Sequence, residues 1–206
     1  MTHAPIVQLS LRPNIIDLTW GHPDPSLLPV ARLRQAGAAA LDQYGPVAMQ
    51  YGHEAGPGPL LEWLSERIWR QEGRAPTLKE IMTTGGISLG LDQLLTHLAT
   101  PGDTILVESP TYHLAVRILR DHRLSLVPVA SNEDGLQLDA LAQTLERLKA
   151  QGTRPRALYL VPTFNNPTGR CLADDRRLAL VRLAEAEGLL IIEDDVYREL
   201  AYDGPA

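Results

Sequence analysis

The feature that most constrains this chain is an alternation. From residue 80 onward, short apolar runs recur between amphipathic stretches: 80–84 (EIMTT), 104–108 (TILVE), the neighbourhood of 125–129 (SLVPV), 157–161 (ALYLV) and 189–193 (LLIIE). Runs of this length, rich in Val, Ile and Leu and apolar on both faces, predict strands buried on both sides. The stretches between them, near 88–99, 111–121, 138–151 and 174–187, carry helical periodicity, with Asp174 a candidate cap for the last. Strand and helix in alternation predict an α/β protein: an α/β/α sandwich on a mostly parallel sheet.

The first 50 residues read differently. Residues 1–25 are Pro-rich and aperiodic, ending in WGHPDPS, and predict an arm rather than a packed layer. Ser26 is a candidate cap for an Ala- and Leu-rich helix running to about Gln43. YGHEAGPGP, at 51–59, predicts a stiff turn-rich loop, and Leu60, Leu61, Leu64 and Ile68 then recur at helical spacing up to Gly73. The expected division is 1–50 as arm and helix, with 51–206 as the main domain. After residue 193 the alternation stops with the sheet half built, so the reading is the N-terminal part of a longer protein.

Composition narrows the function classes. A net charge of −6 and a pI near 5.5 argue against a nucleic-acid or anionic-membrane surface. No apolar run approaches a membrane span, and the start lacks the basic and apolar regions of a secretory leader. Cys171 is the single cysteine, which predicts a reducing compartment, and the six histidines fall at no metal-ligand spacing. The expectation is a soluble cytoplasmic protein with no metal.

In open α/β sheets, ligands bind beyond the carboxyl ends of the parallel strands, so the residues just past each predicted strand carry the chemistry. After the first comes TTGGIS, where Gly85 and Gly86 let the backbone come close and the amides of Gly86, Ile87 and Ser88 open a helix suited to a phosphate. After the second comes SPTYH, with Tyr112 at a turn, able to stack on a ring. After the fourth comes PTFNNPTG, where Pro167 and Gly169 set the direction of Asn166, a donor for a ring oxygen. After the fifth comes DDVY, where Asp194 could pair with a protonated ring nitrogen and Tyr197 adds a phenol. ASNEDG, after the third, reads as plain loop. Taken singly, each stretch is a weak signal, and for the glycine pair and Tyr112 an ordinary turn is the better reading. Together they describe a cradle for a flat, phosphorylated heteroaromatic.

The stretches YGHEAGPGPLLEWL, TTGGISLGLDQLL, PGDTILVESPTYH, VPTFNNPTGR and IIEDDVYREL resemble the fold type I pyridoxal-phosphate enzymes of the aminotransferase class I/II family, over about Leu18 to Tyr202. The similarity is greatest to 2-aminoadipate-type transaminases and to effector domains of MocR-type regulators. It implies pyridoxal 5'-phosphate as cofactor, bound by Gly86, Ile87, Ser88, Tyr112, Asn166, Asp194 and Tyr197. It implies substrate contacts at Gly21, Tyr51 and Asn166, and a homodimer, because the tyrosine matched by Tyr51 enters the neighbouring subunit's site. Amino acid and 2-oxo acid would be the substrates.

Two departures stand out. Ile87 occupies the phosphate loop where many members carry a polar side chain. The family's Schiff-base lysine is expected downstream of Ala206; Lys79 and Lys149, the chain's two lysines, sit in no Ser-rich turn. The fragment alone is therefore expected to be inactive. Other fold type I chemistry, C–S lysis or decarboxylation, and a MocR-type effector domain remain the alternatives. A Rossmann-type nucleotide binder is disfavoured, because no G-x-G-x-x-G comes after the first strand.

Overall fold

The sheet has five strands in the order β3-β2-β1-β4-β5: β1 (Thr104–Ser109), β2 (Ser125–Asn132), β3 (Gly135–Leu136), β4 (Ala157–Leu160) and β5 (Leu190–Glu193). These come from a computed structural model that describes residues 14–16 and 21–202. β1, β2, β4 and β5 run parallel, and β3 is antiparallel to β2.

Side-chain alternation along the strands builds two separate cores. Leu106, Leu158 and Leu160 face Leu141, Leu145 and Leu148 of α5 (Leu138–Ala150) and Leu180 and Ala184 of α6 (Asp174–Glu187). On the opposite face, Ile105, Val107, Ala157, Tyr159, Val161 and Ile192 meet Leu91 and Leu95 of α3 (Ile87–Leu98) and Ala115 and Leu119 of α4 (His113–Asp121). The result is the expected α/β/α sandwich. Each face gives helices an apolar surface that water would otherwise cover, at about 25 cal/mol per Å² buried.

Three local expectations differ from what forms. Residues 80–84 pair with no strand among the described residues. Glu80 ends a 3-10 turn, Leu78–Glu80, closed by a capping box in which its carboxylate accepts from Thr77 N at 2.8 Å. Ile81 then turns extended (φ −118, ψ 133), but strand character needs a paired neighbour, and among the described residues the sheet's strands pair only with one another. The loop after β2 is instead a tight hairpin: Asn132 Oδ1 accepts from Asp134 N at 3.1 Å, and β3 pairs back onto Ser131 and Asn132. Gly135 is required there twice over, by its φ of 85° and by Leu172 Cα, which would lie 2.9 Å from an added Cβ. Asp174 is the first residue of α6 rather than its cap, which is Ala173. From the first turn its charge still faces the helix's positive end.

The chain divides into two units, Met1–Gly58 and Pro59–Ala206. In the first, α1 (Val30–Tyr44) comes after a 3-10 turn, Pro25–Leu27, whose cap is Asp24, accepting from Ser26 N at 2.8 Å. Ser26 therefore donates to a cap and is not one. α1 buries no residue. α2 (Gly58–Glu72) is tied to the 3-10 turn Arg198–Leu200, with Arg67 paired to Glu199 and Arg198 donating to Glu72 at 2.9 Å. No helix among the described residues is long and apolar enough to cross a membrane.

Candidate active site

The strand order reverses at β1, with β2 on one side and β4 on the other, and an open parallel sheet leaves a crevice at the carboxyl ends of such a pair. A cleft of about 200 Å³ lies there, lined by Ile87, Ser88, Tyr112, Val161, Asn166, Asp194, Val196 and Tyr197. The side chains arrive from four elements. Ile87 and Ser88 begin α3, Tyr112 comes after β1, Asn166 after β4, and Asp194 and Tyr197 after β5.

The start of α3 offers backbone donors. Its cap, Gly86, sits at φ 102° and ψ 160° and supplies no capping side chain, so the first amides of the helix have no partner within it. Only glycine adopts that conformation readily. Ile87 is 53% exposed, leaving Ser88 as the polar side chain of this turn at the cleft.

The turn after β4 is built to aim one amide. Asn165 is buried; its Nδ2 donates to Glu108 Oε2 at 3.0 Å, and its Oδ1 accepts from Thr168 Oγ1 at 3.0 Å. With Asn165 fixed, the next residue is thrown toward the cleft, where Asn166 Nδ2 lies 3.4 Å from the hydroxyl of Tyr197. From α6, Arg177 holds the outer side of the turn, donating to Leu172 O at 3.0 Å and to Pro162 O at 3.3 Å. Glu108 is itself buried, which raises its pKa; the hydrogen bonds from Val161 N and Asn165 work against that rise.

Asp194 continues the ladder beyond β5, its N–H donating to Leu160 O at 3.0 Å. In the parallel register Tyr159 stands opposite Ile192, so Asp194, two residues further on, shares its face and comes within reach. Tyr159 OH donates to Asp194 Oδ2 at 2.7 Å. Burial raises the phenol's pKa far above the usual tyrosine value, and the hydrogen bond to Asp194 raises it further. Asp195 turns to a different partner and forms an ion pair with Arg198.

Among the residues expected at the site, Ile87, Ser88, Tyr112, Asn166, Asp194 and Tyr197 share this one cleft, and Gly86 immediately precedes it. Gly21 and Tyr51 belong to the first unit; Tyr51 is fully exposed. Lys79 ends up in the Leu78–Glu80 turn, and Lys149 lines a hollow of about 450 Å³ with Gly152 and Leu189, at the amino ends of β4 and β5 and so on the sheet edge away from the cleft. No group of three or more His, Cys, Asp or Glu among the described residues is placed to hold a metal. Tyr159, Glu108 and Asn165 are the contributors that strand-end reading misses. The sequence does carry a signal for Tyr159: on a period of two it faces the same way as Val161, at the carboxyl end of its strand.

The family model for aminotransferase class I and II matches residues 13–206. The chain belongs to that family. Aromatic-amino-acid aminotransferase 1 of Thermococcus litoralis is 33% identical over 196 residues, covering 93% of this chain and 46% of that protein. The crystal structure of LysN, the α-aminoadipate aminotransferase of Thermus thermophilus complexed with N-(5'-phosphopyridoxyl)-L-leucine, matches with a TM-score of 0.79 at 35% identity, over 91% of this chain and 45% of that one. An uncharacterised HTH-type transcriptional regulator of Escherichia coli is 27% identical over 212 residues, which is 97% of this chain and 44% of the regulator. The chain spans about half the length of the curated relatives it matches.

Proposed function

We propose that the whole protein is a pyridoxal-phosphate-dependent aminotransferase, moving an amino group between an amino acid and a 2-oxo acid. The observation that carries this reading is the cleft itself, where helix-start amides without a partner in their own helix, an aromatic ring, an amide donor and a carboxylate meet in about 200 Å³. These residues fit the cofactor in kind. The amides of Gly86, Ile87 and Ser88 would take the phosphate. Tyr112 would lie against the ring, and Asn166 with Tyr197 would donate to the ring oxygen. Asp194 would pair with the ring nitrogen in a charge-assisted bond, holding the proton there. When bound, the protonated pyridine ring serves as an electron sink for an attached amino acid.

The covalent anchor and the base at Cα would come from a lysine outside residues 1–206, since neither Lys79 nor Lys149 lines the cleft. We assign residues 1–50 to the arm region and 51–206 to the cofactor domain. Gly21 and Tyr51 would serve the substrate side, with Tyr51 entering a second copy's site in a cytoplasmic homodimer. The relatives point to aromatic amino acids or 2-aminoadipate as donors.

A second reading, an effector domain that binds the cofactor without turnover, is favoured by the match to the transcriptional regulator. Spectroscopic titration of the full-length protein with pyridoxal phosphate, followed by amino-donor assays with 2-oxoglutarate, separates the two. Binding with transfer supports the aminotransferase, binding without transfer supports the effector, and no binding overturns both.

A further inference from the structure

We propose that Tyr159 is a positioning residue for the cofactor, orienting Asp194 through the hydrogen bond it donates from inside the sheet. The proposal rests on the pyridoxal-phosphate reading above and assigns to that site a residue from its buried wall. Tyr159 is fully buried on a strand whose other members are Ala157, Leu158 and Leu160, so its hydroxyl is the one polar side-chain group that this strand carries into the sheet. Such a group is costly without a partner. Here the partner is Asp194 Oδ2, at 2.7 Å.

The two residues are held by different strands in a fixed parallel register, Tyr159 opposite Ile192 and Leu160 opposite Glu193. The phenol cannot follow Asp194 if the carboxylate rotates, because Ile105, Val107 and Val161 fill the same core. The hydrogen bond therefore fixes rotation about the Cβ–Cγ bond of Asp194. Oδ2 is engaged from below, which leaves Oδ1 as the oxygen to meet a ring nitrogen in the cleft. Without the phenol the carboxylate is free to swing, and it also lines a larger adjoining hollow of about 610 Å³ with Met82 and Thr84. A purely structural tyrosine would satisfy its own hydroxyl and have no effect on the ligand.

The experiment uses the full-length protein, pyridoxal phosphate labelled with nitrogen-15 in the ring, and the Tyr159→Phe variant, which removes one oxygen and nothing else. Wild type is titrated first; failure to bind the cofactor sinks the underlying reading rather than the role of Tyr159. Given binding, Tyr159→Phe is expected to hold the cofactor about tenfold more weakly. Its ring-nitrogen resonance should move toward that of unprotonated pyridine. With an amino donor, kcat should fall while KM changes little. Wild-type affinity and an unmoved resonance in a folded variant would overturn the proposal. Should Tyr159→Phe not fold, Tyr159→4-aminophenylalanine keeps a weaker donor in the same place. A resonance between those of wild type and unprotonated pyridine then supports the role, and an unmoved one rejects it.

Discussion

Two turns bring donors to the cleft, and they are built in opposite ways. The turn after β4 is held from inside: Asn165 is buried, Glu108 receives its amide at 3.0 Å, Thr168 returns a hydrogen bond to its carbonyl oxygen, and Arg177 secures the carbonyls of Pro162 and Leu172. The turn before α3 is exposed; Thr84 Oγ1 braces it from within, donating to Gly86 O at 3.0 Å. The difference reflects the group that each must aim. Asn166 presents a side-chain amide, which can rotate away unless its backbone is fixed. The α3 amides point along the helix axis whatever surrounds them, so the turn needs only a residue able to enter the helix at φ 102°.

If that contrast is right, the largest effect of any single change lies beneath the first turn. Glu108→Leu leaves Val161 N and Asn165 Nδ2, both now bonded to Oε2, without an acceptor. Each stranded buried donor costs about 1–3 kcal/mol, more than the charge removal returns. The variant should melt well below wild type and bind pyridoxal phosphate weakly, as measured by circular dichroism and absorbance titration. A melting temperature within a degree or two of wild type would show that the turn is not held from inside.

A smaller effect is expected at the second turn. Gly86→Ala places a side chain in a region of backbone space that is essentially glycine-only, at about 1–3 kcal/mol. That cost is intrinsic to the backbone and adds to no clash, since nothing lies within 4 Å of the added Cβ. The turn is exposed and carries no core, so it can relieve this strain by rearranging, and the loss should appear in cofactor affinity more than in melting temperature. Equal losses in both would erase the distinction between the two turns.

The two turns also differ in how far the sequence reveals them. GG before a helix and NNPTG after a strand are local patterns, and the strand ends that carry Tyr112 and Asp194 are legible from apolar runs of four to six residues. The groups that hold those residues are not local. Glu108 and Asn165 are 57 positions apart, Tyr159 and Asp194 are 35 apart, and only the register of β1, β4 and β5 makes them neighbours. The same limit explains residues 80–84: their composition suits a strand, but a strand is completed by a partner that a local reading cannot supply. The hairpin into β3 is the opposite case. Its Asn132-Glu133-Asp134-Gly135 signal is local, and reading it as plain loop is too coarse.

The smallest expected effect tests why an acid, rather than an amide, sits under the first turn. Both groups bonded to Glu108 are donors, and a glutamine carbonyl can accept from them, so Glu108→Gln should keep the turn intact. The property that changes is proton linkage. Burial raises the pKa of Glu108 in the folded protein, so between its ordinary value and the raised one the folded state binds more protons than the unfolded state. Stability from this group is then fully present below the ordinary glutamate value and is lost as pH rises through the raised one. The neutral variant has no such slope. Melting temperatures from about pH 5 to about pH 8 should therefore show Glu108→Gln gaining on wild type as pH rises, with cofactor affinity held near wild type throughout. A variant that instead loses ground to wild type as pH rises would mean that the carboxylate is stabilised as an anion in the fold, and that the turn rests on its charge as well as on its shape.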